Sequence, residues 1–406
     1  MQKFTTEPPV LTKPKENYFL SQPHQPFFLF GIIWAIVSMV IFMIGFKGIA
    51  PLVISPTYFH VYALIFIVFS QFFMGFLFTT FPRFCASQSV SKSYYLPLFS
   101  LYEISALGVM LGVFLSETLL FIAVGILFAL HVSIFYQLYT MYKHGKSHIK
   151  KDPFWILVAY GFGLFAHATF VIGFIADANE LPLYWYDVAY ASGFYMYTIF
   201  LTTVIALRMI PFFSHVQIHN IPKVVPIVFT LFVLKSLTII MTFEWSEIVL
   251  DVLLGLFILK EIVRWKLPIM RSPAILGILH LALFWLPLGL ILGALGKACE
   301  LTFDISVISL DTHLIALGFL NTILIGFGTR ISLGHSSQPP RANRFTVGLF
   351  ALTQVVLAVR VVYSLTSGLA IDAAWTFDLS IALWLCLFIA WGVYYGPVLI
   401  SGKKIV

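Results

Sequence analysis

The chain carries five histidines inside long apolar segments, where imidazole is the side chain with the clearest chemistry: His60, His131, His167, His280 and His313. A neutral imidazole can bind haem iron or copper through one ring nitrogen while a neighbouring acceptor holds the other. The alternative is a hydrogen bond across helices to a serine, a threonine or a backbone carbonyl. Because an ionisable group in such a segment is a functional-site hypothesis by default, a pair of these histidines is a candidate metal site.

The elements that hold these histidines are predicted to be membrane-spanning helices. Hydrophobic residues make up 60% of the 406 residues, charged residues make up 10%, and the mean hydropathy is +0.97. Apolar runs of roughly 20 residues, long enough to cross a hydrocarbon core, recur through the chain. We therefore predict an all-α, polytopic transmembrane helical bundle of about twelve spans. The spans lie near 27–45, 58–81, 94–115, 118–142, 154–175, 187–209, 222–242, 245–265, 273–295, 306–327, 345–366 and 373–399.

The lysines and arginines predict the orientation of this bundle. If the N-terminus is cytoplasmic, nearly all of them fall on the cytoplasmic side, and the outer side keeps only Lys47 and Lys297. This is the distribution that the positive-inside rule describes, so both termini are expected to be cytoplasmic. The predicted organisation is a cytoplasmic tail (1–26), one transmembrane domain (27–400) and a second tail (401–406).

The net charge of +7 is spread over short cytoplasmic segments and forms no binding stripe. We therefore expect no nucleic-acid partner, and the lipid bilayer is the partner that the composition implies.

A rise of 1.5 Å per helical residue converts sequence position into depth. On this count His60 lies about 3 Å, and His313 about 10 Å, below the outer ends of their spans, with His167 in the same outer half. His131 lies near the middle of its span and His280 about 10 Å from the cytoplasmic end. Two or three of these histidines could therefore face one site in the outer half of the bundle.

Two cations, Lys235 and Arg360, fall about 10 Å below the outer surface, near the depth of His313. A buried cation needs an anion, and few acidic residues are expected nearby. Asp311 is one possible partner and haem propionates are another, while snorkelling to the outer surface is the alternative. Arg330 lies at the cytoplasmic end of a span. Its charge either sets the orientation of that span or binds an anionic head group or a cofactor carboxylate.

The most distinctive stretch is H-L-I-A-L-G (313–318) followed by G-T-R-I-S-L-G-H-S-S-Q-P (328–339). It resembles the signature of the NnrS family, polytopic bacterial membrane proteins tied to the nitric oxide response. Further agreement comes from ILHLALFWLPLGL (278–290), RMIPFF (208–213) and GFLFTT (75–80) with Pro82. The resemblance covers much of the chain. It implies haem b, copper in at least some members, the bacterial inner membrane and protection against nitrosative stress.

One stretch departs from the family pattern. Family members typically begin span two with a W-H-x-H-E type motif, and alignment on GFLFTT places residues 59–63 there. His60 is retained, whereas Tyr62 and Ala63 stand in place of the second histidine and the glutamate. If the motif binds metal, two ligands are lost, which weakens the case for copper.

The sequence and the resemblance thus predict a haem protein of NnrS type whose partner is nitric oxide or a redox protein. The preferred axial ligands are His60 and His313, and the alternates are His167, His131 and His280. An open axial position would bind nitric oxide directly, whereas bis-histidine ligation would transfer electrons. Respiratory oxidases and nitric oxide reductases carry an adjacent His-His pair and a His-x-His, and neither is present. A secondary transporter, with span nine broken at Pro287 and Gly289, and a metal-free scaffold are the alternatives. Glu103, near the centre of a span, could relay protons or pair with a histidine.

Overall fold

A computed structural model of the chain describes residues 17–218, 221–305, 307–369 and 371–405. Residues 1–16 of the predicted N-terminal tail and residue 406 lie outside the described residues. Within the described ranges every regular element is helical, which confirms the all-α class. The long helices are α1 (His24–Phe46), α2 (Pro56–Cys85), α3 (Lys92–Leu115), α4 (Glu117–His144), α5 (Lys151–Ala178), α6 (Tyr184–Phe213), α7 (Ile221–Ile240), α8 (Glu244–Arg264), α9 (Ala274–Phe303), α10 (Leu310–His335), α11 (Arg344–Gly368) and α12 (Trp375–Ser401).

Each predicted span coincides with one of these helices. In the part of the chain that the structure describes, eleven helices are long and apolar enough to cross a membrane. The helix outside that set is α8, whose first turns carry Glu244, Glu247 and Asp251. The chain is therefore a polytopic helical membrane protein, as predicted, and the orientation of its termini stays a prediction.

The start of α1 and the end of α12 lie at the same end of the bundle. α1 packs against α12, and Lys47, just after α1, forms a 2.5 Å ion pair with Asp378 in the first turn of α12. The two helices are therefore antiparallel, so the start of α1 lies beside the end of α12. We call this the termini end and the other the opposite end.

Three helices, α2, α6 and α10, form the centre of the bundle. In their most apolar stretches 78% to 89% of the residues are buried, against 33% to 56% in the other helices that qualify as spans. Each of the three contains a π-helical segment: Ala63–Phe69, Ala191–Ile199 and Leu314–Asn321.

A hydroxyl side chain accompanies each π-helical segment. Ser70 donates to the Ile65 carbonyl at 2.9 Å and Thr322 donates to that of Leu317 at 3.0 Å. The Thr198 hydroxyl lies 2.5 Å from the Phe194 carbonyl and 3.2 Å from that of Gly193. The bonds of Ser70 and Thr322 reach back five residues, to a carbonyl that the wider π turn presents to the hydroxyl. Because the three helices are four apart in chain order, the architecture indicates three four-helix units, α1–α4, α5–α8 and α9–α12.

α9 and α10 pack closely next to one of the candidate ligands. A Cβ atom on Gly289 would lie 2.8 Å from Ile315 Cγ1, and one on Gly293 would lie 2.6 Å from Asp311 Cβ. These glycines form a G-x-x-x-G pattern that admits the start of α10. α9 runs unbroken through Pro287. The expectation that Pro287 and Gly289 break this span is therefore wrong.

The start of α10 also lies later than predicted. Ser309, with a φ of 48°, precedes a helix that begins at Leu310, whereas the predicted span begins near residue 306. His313 therefore lies about 5 Å into its helix, not about 10 Å.

Candidate functional site

A cavity of about 520 Å³ lies near the opposite end of the bundle, chiefly between α1, α2, α6, α10, α11 and α12. Its walls are mainly aromatic and aliphatic, and they also include four charged side chains besides Arg360: Asp187, Glu247, Lys297 and Asp311. His60, His313 and Arg360 all line it. The cavity has the size and the apolar lining that cofactor pockets share, and it brings together three residues predicted from the sequence.

His313 keeps one ring nitrogen available. Its Nδ1 lies 2.8 Å from the backbone carbonyl of Ser309, one turn earlier in the chain. A carbonyl can only accept, so Nδ1 carries the proton and Nε2 carries a lone pair. A histidine ligand held by a backbone carbonyl has this arrangement in metal proteins.

His60 has both ring nitrogens uncommitted. Its ring packs on Phe42, with centroids 4.2 Å apart, and it makes no hydrogen bond to any described residue. His60 lies in the first turns of α2, just before the π-helical segment. Contacts with α1 and the backbone of α2 together fix the position of its ring. His60 and His313 are therefore two imidazoles with free nitrogens on one cavity.

Arg360 is a buried guanidinium whose partners are neutral. Its Nη1 donates to Ser364 Oγ at 2.5 Å and its Nη2 to the Ile308 carbonyl at 3.4 Å. The ring of Tyr363 lies 5.0 Å from the guanidinium carbon. Among the described residues no carboxylate forms an ion pair with Arg360. Its charge is thus available to an anion in the cavity.

His131 and His167 are fully committed to protein partners. Their Nδ1 atoms are 2.8 Å apart, His167 Nε2 lies 2.9 Å from the Tyr62 hydroxyl, and His131 Nε2 lies 3.4 Å from the Tyr102 hydroxyl. All four side chains are buried, and none of them lines the cavity. The structure therefore places the alternates His131 and His167 outside the cavity that His313 lines.

One pattern of protons satisfies this whole cluster when both imidazoles are neutral. The Tyr102 hydroxyl donates to the Phe66 carbonyl, so its oxygen accepts from His131 Nε2. His131 Nδ1 must then accept from His167 Nδ1, and His167 Nε2 must accept from the Tyr62 hydroxyl. The two histidines are therefore opposite tautomers, and all four ring nitrogens are used.

His280, the remaining alternate, lies in a different part of the bundle. Its Nε2 is 2.8 Å from Ser214 Oγ, just beyond α6 at the termini end. Its Nδ1 has no partner, but the ring is buried and does not line the cavity. The structure therefore brings His280 to none of the other candidate ligands.

Lys235 has two acidic partners that the sequence analysis missed. It lies 3.1 Å from Glu247 and 2.7 Å from Asp251, and Lys297 also pairs with Glu247. The expectation of few acidic residues near Lys235 is therefore wrong, because α8 supplies both carboxylates. Lys235 does not line the cavity, so its charge needs no cofactor carboxylate. The sequence contained the evidence for this contact, because a three-residue connection between α7 and α8 makes these helices antiparallel neighbours.

Asp311, the predicted partner of these cations, lines the cavity together with Arg360, whereas Arg330 lies elsewhere. Asp311 accepts a hydrogen bond from the Tyr195 hydroxyl at 3.3 Å. Arg330 packs on the ring of Phe213 at 4.0 Å, near the termini end. Because seventeen residues separate Arg330 from His313 along α10, about 25 Å of helix lies between them. Arg330 therefore cannot serve the same cavity.

The donor set of the cavity suits haem better than a bare metal ion. A porphyrin provides the iron with most of its ligands, so one or two imidazoles complete its coordination. Copper and zinc sites built from protein alone use three or four ligands. No group of three or more histidine, cysteine, aspartate or glutamate side chains able to hold a metal ion occurs in the described ranges. Two imidazoles and an arginine on an apolar cavity fit haem, and they do not complete a copper site.

The fold and the cavity define a class: a multi-pass helical membrane protein with a histidine-lined apolar cavity near one end. Within that class, the family model for NnrS protein matches residues 18–403, nearly the whole chain. The chain therefore belongs to the NnrS family, and the family predicted from its motifs is confirmed. No curated protein matches the chain.

Proposed function

We propose that this chain is a haem b-binding protein of the bacterial inner membrane, in which His60 and His313 would hold the haem iron. The observation that carries the proposal is that these two imidazoles, each with an uncommitted nitrogen, line one apolar cavity. The haem would supply a redox-active iron. Copper is not part of the proposal, since the donor set does not suit it.

The protein side chains would take distinct parts. The Ser309 carbonyl fixes the ring of His313 and turns its Nε2 toward the cavity. Arg360, oriented by Ser364 and the Ile308 carbonyl, would pair with a carboxylate of the cofactor. The aromatic walls would exclude water, which strengthens that pairing.

The role that we propose is in the nitric oxide response, with nitric oxide or a redox protein as the partner. His60 lacks a hydrogen-bond partner, so it is held less firmly than His313. Of the two histidines, His60 would therefore be the weaker holder of the haem. A haem held by His313 alone would supply a binding site for a small molecule such as nitric oxide, and a haem held by both histidines would supply electron transfer.

The test is the haem content of the detergent-purified protein from cells fed a haem precursor. We expect b-type bands in oxidised and dithionite-reduced absorption spectra of the wild type. His313→Ala should lower the haem bound per chain about tenfold or more. His144→Ala is the matched control, because this exposed residue ends α4 far from the cavity and should leave haem content unchanged. A wild type without haem bands, or equal haem in both variants, would overturn the proposal.

A further inference from the structure

Glu103 is a carboxylate in the middle of a helix with only neutral partners. It lies eleven residues into α3, about 17 Å from the start of that helix. Trp34 of α1 donates its Nε1–H to one carboxylate oxygen at 2.6 Å, and Gln71 of α2 donates its amide to the other. Among the described residues no cation pairs with Glu103, and the expected histidine partner is absent from its contacts.

The amide of Gln71 supplies a second, independent feature of this place. Gln71 is fully buried, and its Oε1 has no hydrogen-bond partner. The same amide touches Glu103 through Nε2, so a half-turn of the amide would present Oε1 to the carboxyl group instead. An unpartnered acceptor is thus held beside a carboxylate that has no counter-ion.

This arrangement serves both protonation states of Glu103. In the ionised state the carboxylate accepts from Trp34 and from Gln71 Nε2. In the protonated state the carboxyl O–H would donate to Gln71 Oε1, while Trp34 still donates to the other oxygen. Each state leaves one amide group of Gln71 unpartnered, so neither is favoured by that count. The three side chains can therefore adjust to the gain or loss of a proton on Glu103 without any change in helix packing.

Two other buried acids of the bundle, Glu247 and Asp251, lack this property. Glu247 and Asp251 lie against the ammonium group of Lys235, and Glu247 also against that of Lys297. A neighbouring cation favours the ionised carboxylate. Glu103 is held by neutral donors instead, so its charge state is free to change.

The helices packed against α3 bring few ionisable groups to Glu103. α1 contributes Trp34 and α2 contributes Gln71, while α4 brings His131 to Tyr102 on a neighbouring face of α3. On the outer face of α3, Ile104 and Leu107 are 66% and 49% exposed. The half-buried carboxyl group therefore lies beside an apolar surface that an apolar reagent can reach from the lipid.

We propose that Glu103, Gln71 and Trp34 form a proton-binding site inside the membrane, in which Glu103 takes up and releases a proton. The site uses none of the residues of the histidine-lined cavity. It therefore stands whether or not haem binds there.

Dicyclohexylcarbodiimide tests this directly, because it reacts with protonated carboxyl groups in apolar surroundings. The carboxyl oxygen bonds to the central carbon of the reagent, and the carboxyl proton goes to one of its nitrogens. The acyl group then migrates from oxygen to nitrogen, and the N-acylurea keeps every atom of both reactants. Peptide mapping of the labelled full-length protein in lipid nanodiscs locates the adduct.

We expect the adduct on Glu103, with a rate that falls roughly tenfold for each pH unit above the proton-binding transition. Glu103→Gln should abolish the adduct, whereas Glu117→Gln, a matched change at the exposed start of α4, should leave it unchanged. Trp34→Phe removes a donor that favours the ionised form, so labelling should persist to higher pH.

Three outcomes would overturn the proposal: an adduct that maps elsewhere, no labelling at any pH, or a labelling rate that does not change with pH. Mapping of the wild type decides each of these, so the result does not depend on whether the variants fold. A wild type that binds no haem yet labels at Glu103 would separate this proposal from the proposed function.

Discussion

Two pairs of intramembrane histidines differ in what their ring nitrogens do. His60 and His313 face a shared cavity, and between them only one nitrogen is engaged by the protein. His131 and His167 face each other and two tyrosines, and none of their nitrogens is left over. Both pairs lie in helices, and both bring two helices together. The difference shows that depth in a membrane does not decide whether an imidazole keeps a nitrogen free to bind a ligand, because that depends on the contacts of its ring.

The largest expected effect concerns haem binding by His60 and His313. His60→Ala should lower haem content about tenfold or more, and soluble imidazole should restore much of it by filling the vacated space. His167→Ala should retain haem without imidazole. Haem per chain, measured from reduced absorption spectra with and without imidazole, checks both statements. If His167→Ala loses haem and imidazole restores it, His131 and His167 would instead be the haem ligands.

The second effect concerns stability, where the order of the two pairs should reverse. His167→Ala leaves His131 Nδ1 and the Tyr62 hydroxyl unpartnered in the core, which should lower the free energy of unfolding by about 2 to 5 kcal/mol. His60→Ala removes a ring that makes no hydrogen bond and faces a cavity, so its effect should be smaller. Unfolding of haem-free protein in mixed micelles measures both. Equal losses would contradict the contrast between the pairs.

The smallest effect concerns Tyr62, whose hydroxyl forms a hydrogen bond with His167. Tyr62→Phe keeps the ring but removes the hydroxyl from His167 Nε2, which should lower the free energy of unfolding by about 1 kcal/mol. Haem content should not change. A double-mutant cycle with His167→Ala isolates the pair, because the loss from Tyr62→Phe should vanish once His167 is gone. A loss that persists in the double variant would assign the effect to something other than this bond.

Much of the fold could be predicted from the sequence, because apolar runs and basic connections mark membrane helices independently of their neighbours. Each predicted span coincides with a helix, and His60, His313 and Arg360 do line one cavity. Depth counting succeeded here because all three residues lie near the same end of their helices. It says nothing about how a helix is rotated about its axis, so it could not distinguish a histidine that faces a cavity from one that faces another histidine.

Two features were missed for different reasons. The carboxylates beside Lys235 could have been found, because Glu247 and Asp251 lie one turn apart on the next helix after a short turn. The contact between His131 and His167 could not, although similar counts from the α4–α5 connection place them at similar depths. Their pairing depends on helix rotation, and the π-helical segment of α2 places the Phe66 carbonyl that completes the cluster.

The repeated π-helical segments allow the central helices to be placed in register with one another. Counted from the hydroxyl residues Ser70, Thr198 and Thr322, His60 lies ten residues earlier in α2 and His313 lies nine residues earlier in α10. The corresponding positions of α6 are Val188 and Ala189, which have no donor atoms. The two histidines thus lie at similar distances before the π-helical segments of α2 and α10, and α6 carries no histidine at either distance. The backbone of the central helices therefore does not depend on the histidines that they carry. The fold and the candidate ligands can each change while the other is kept.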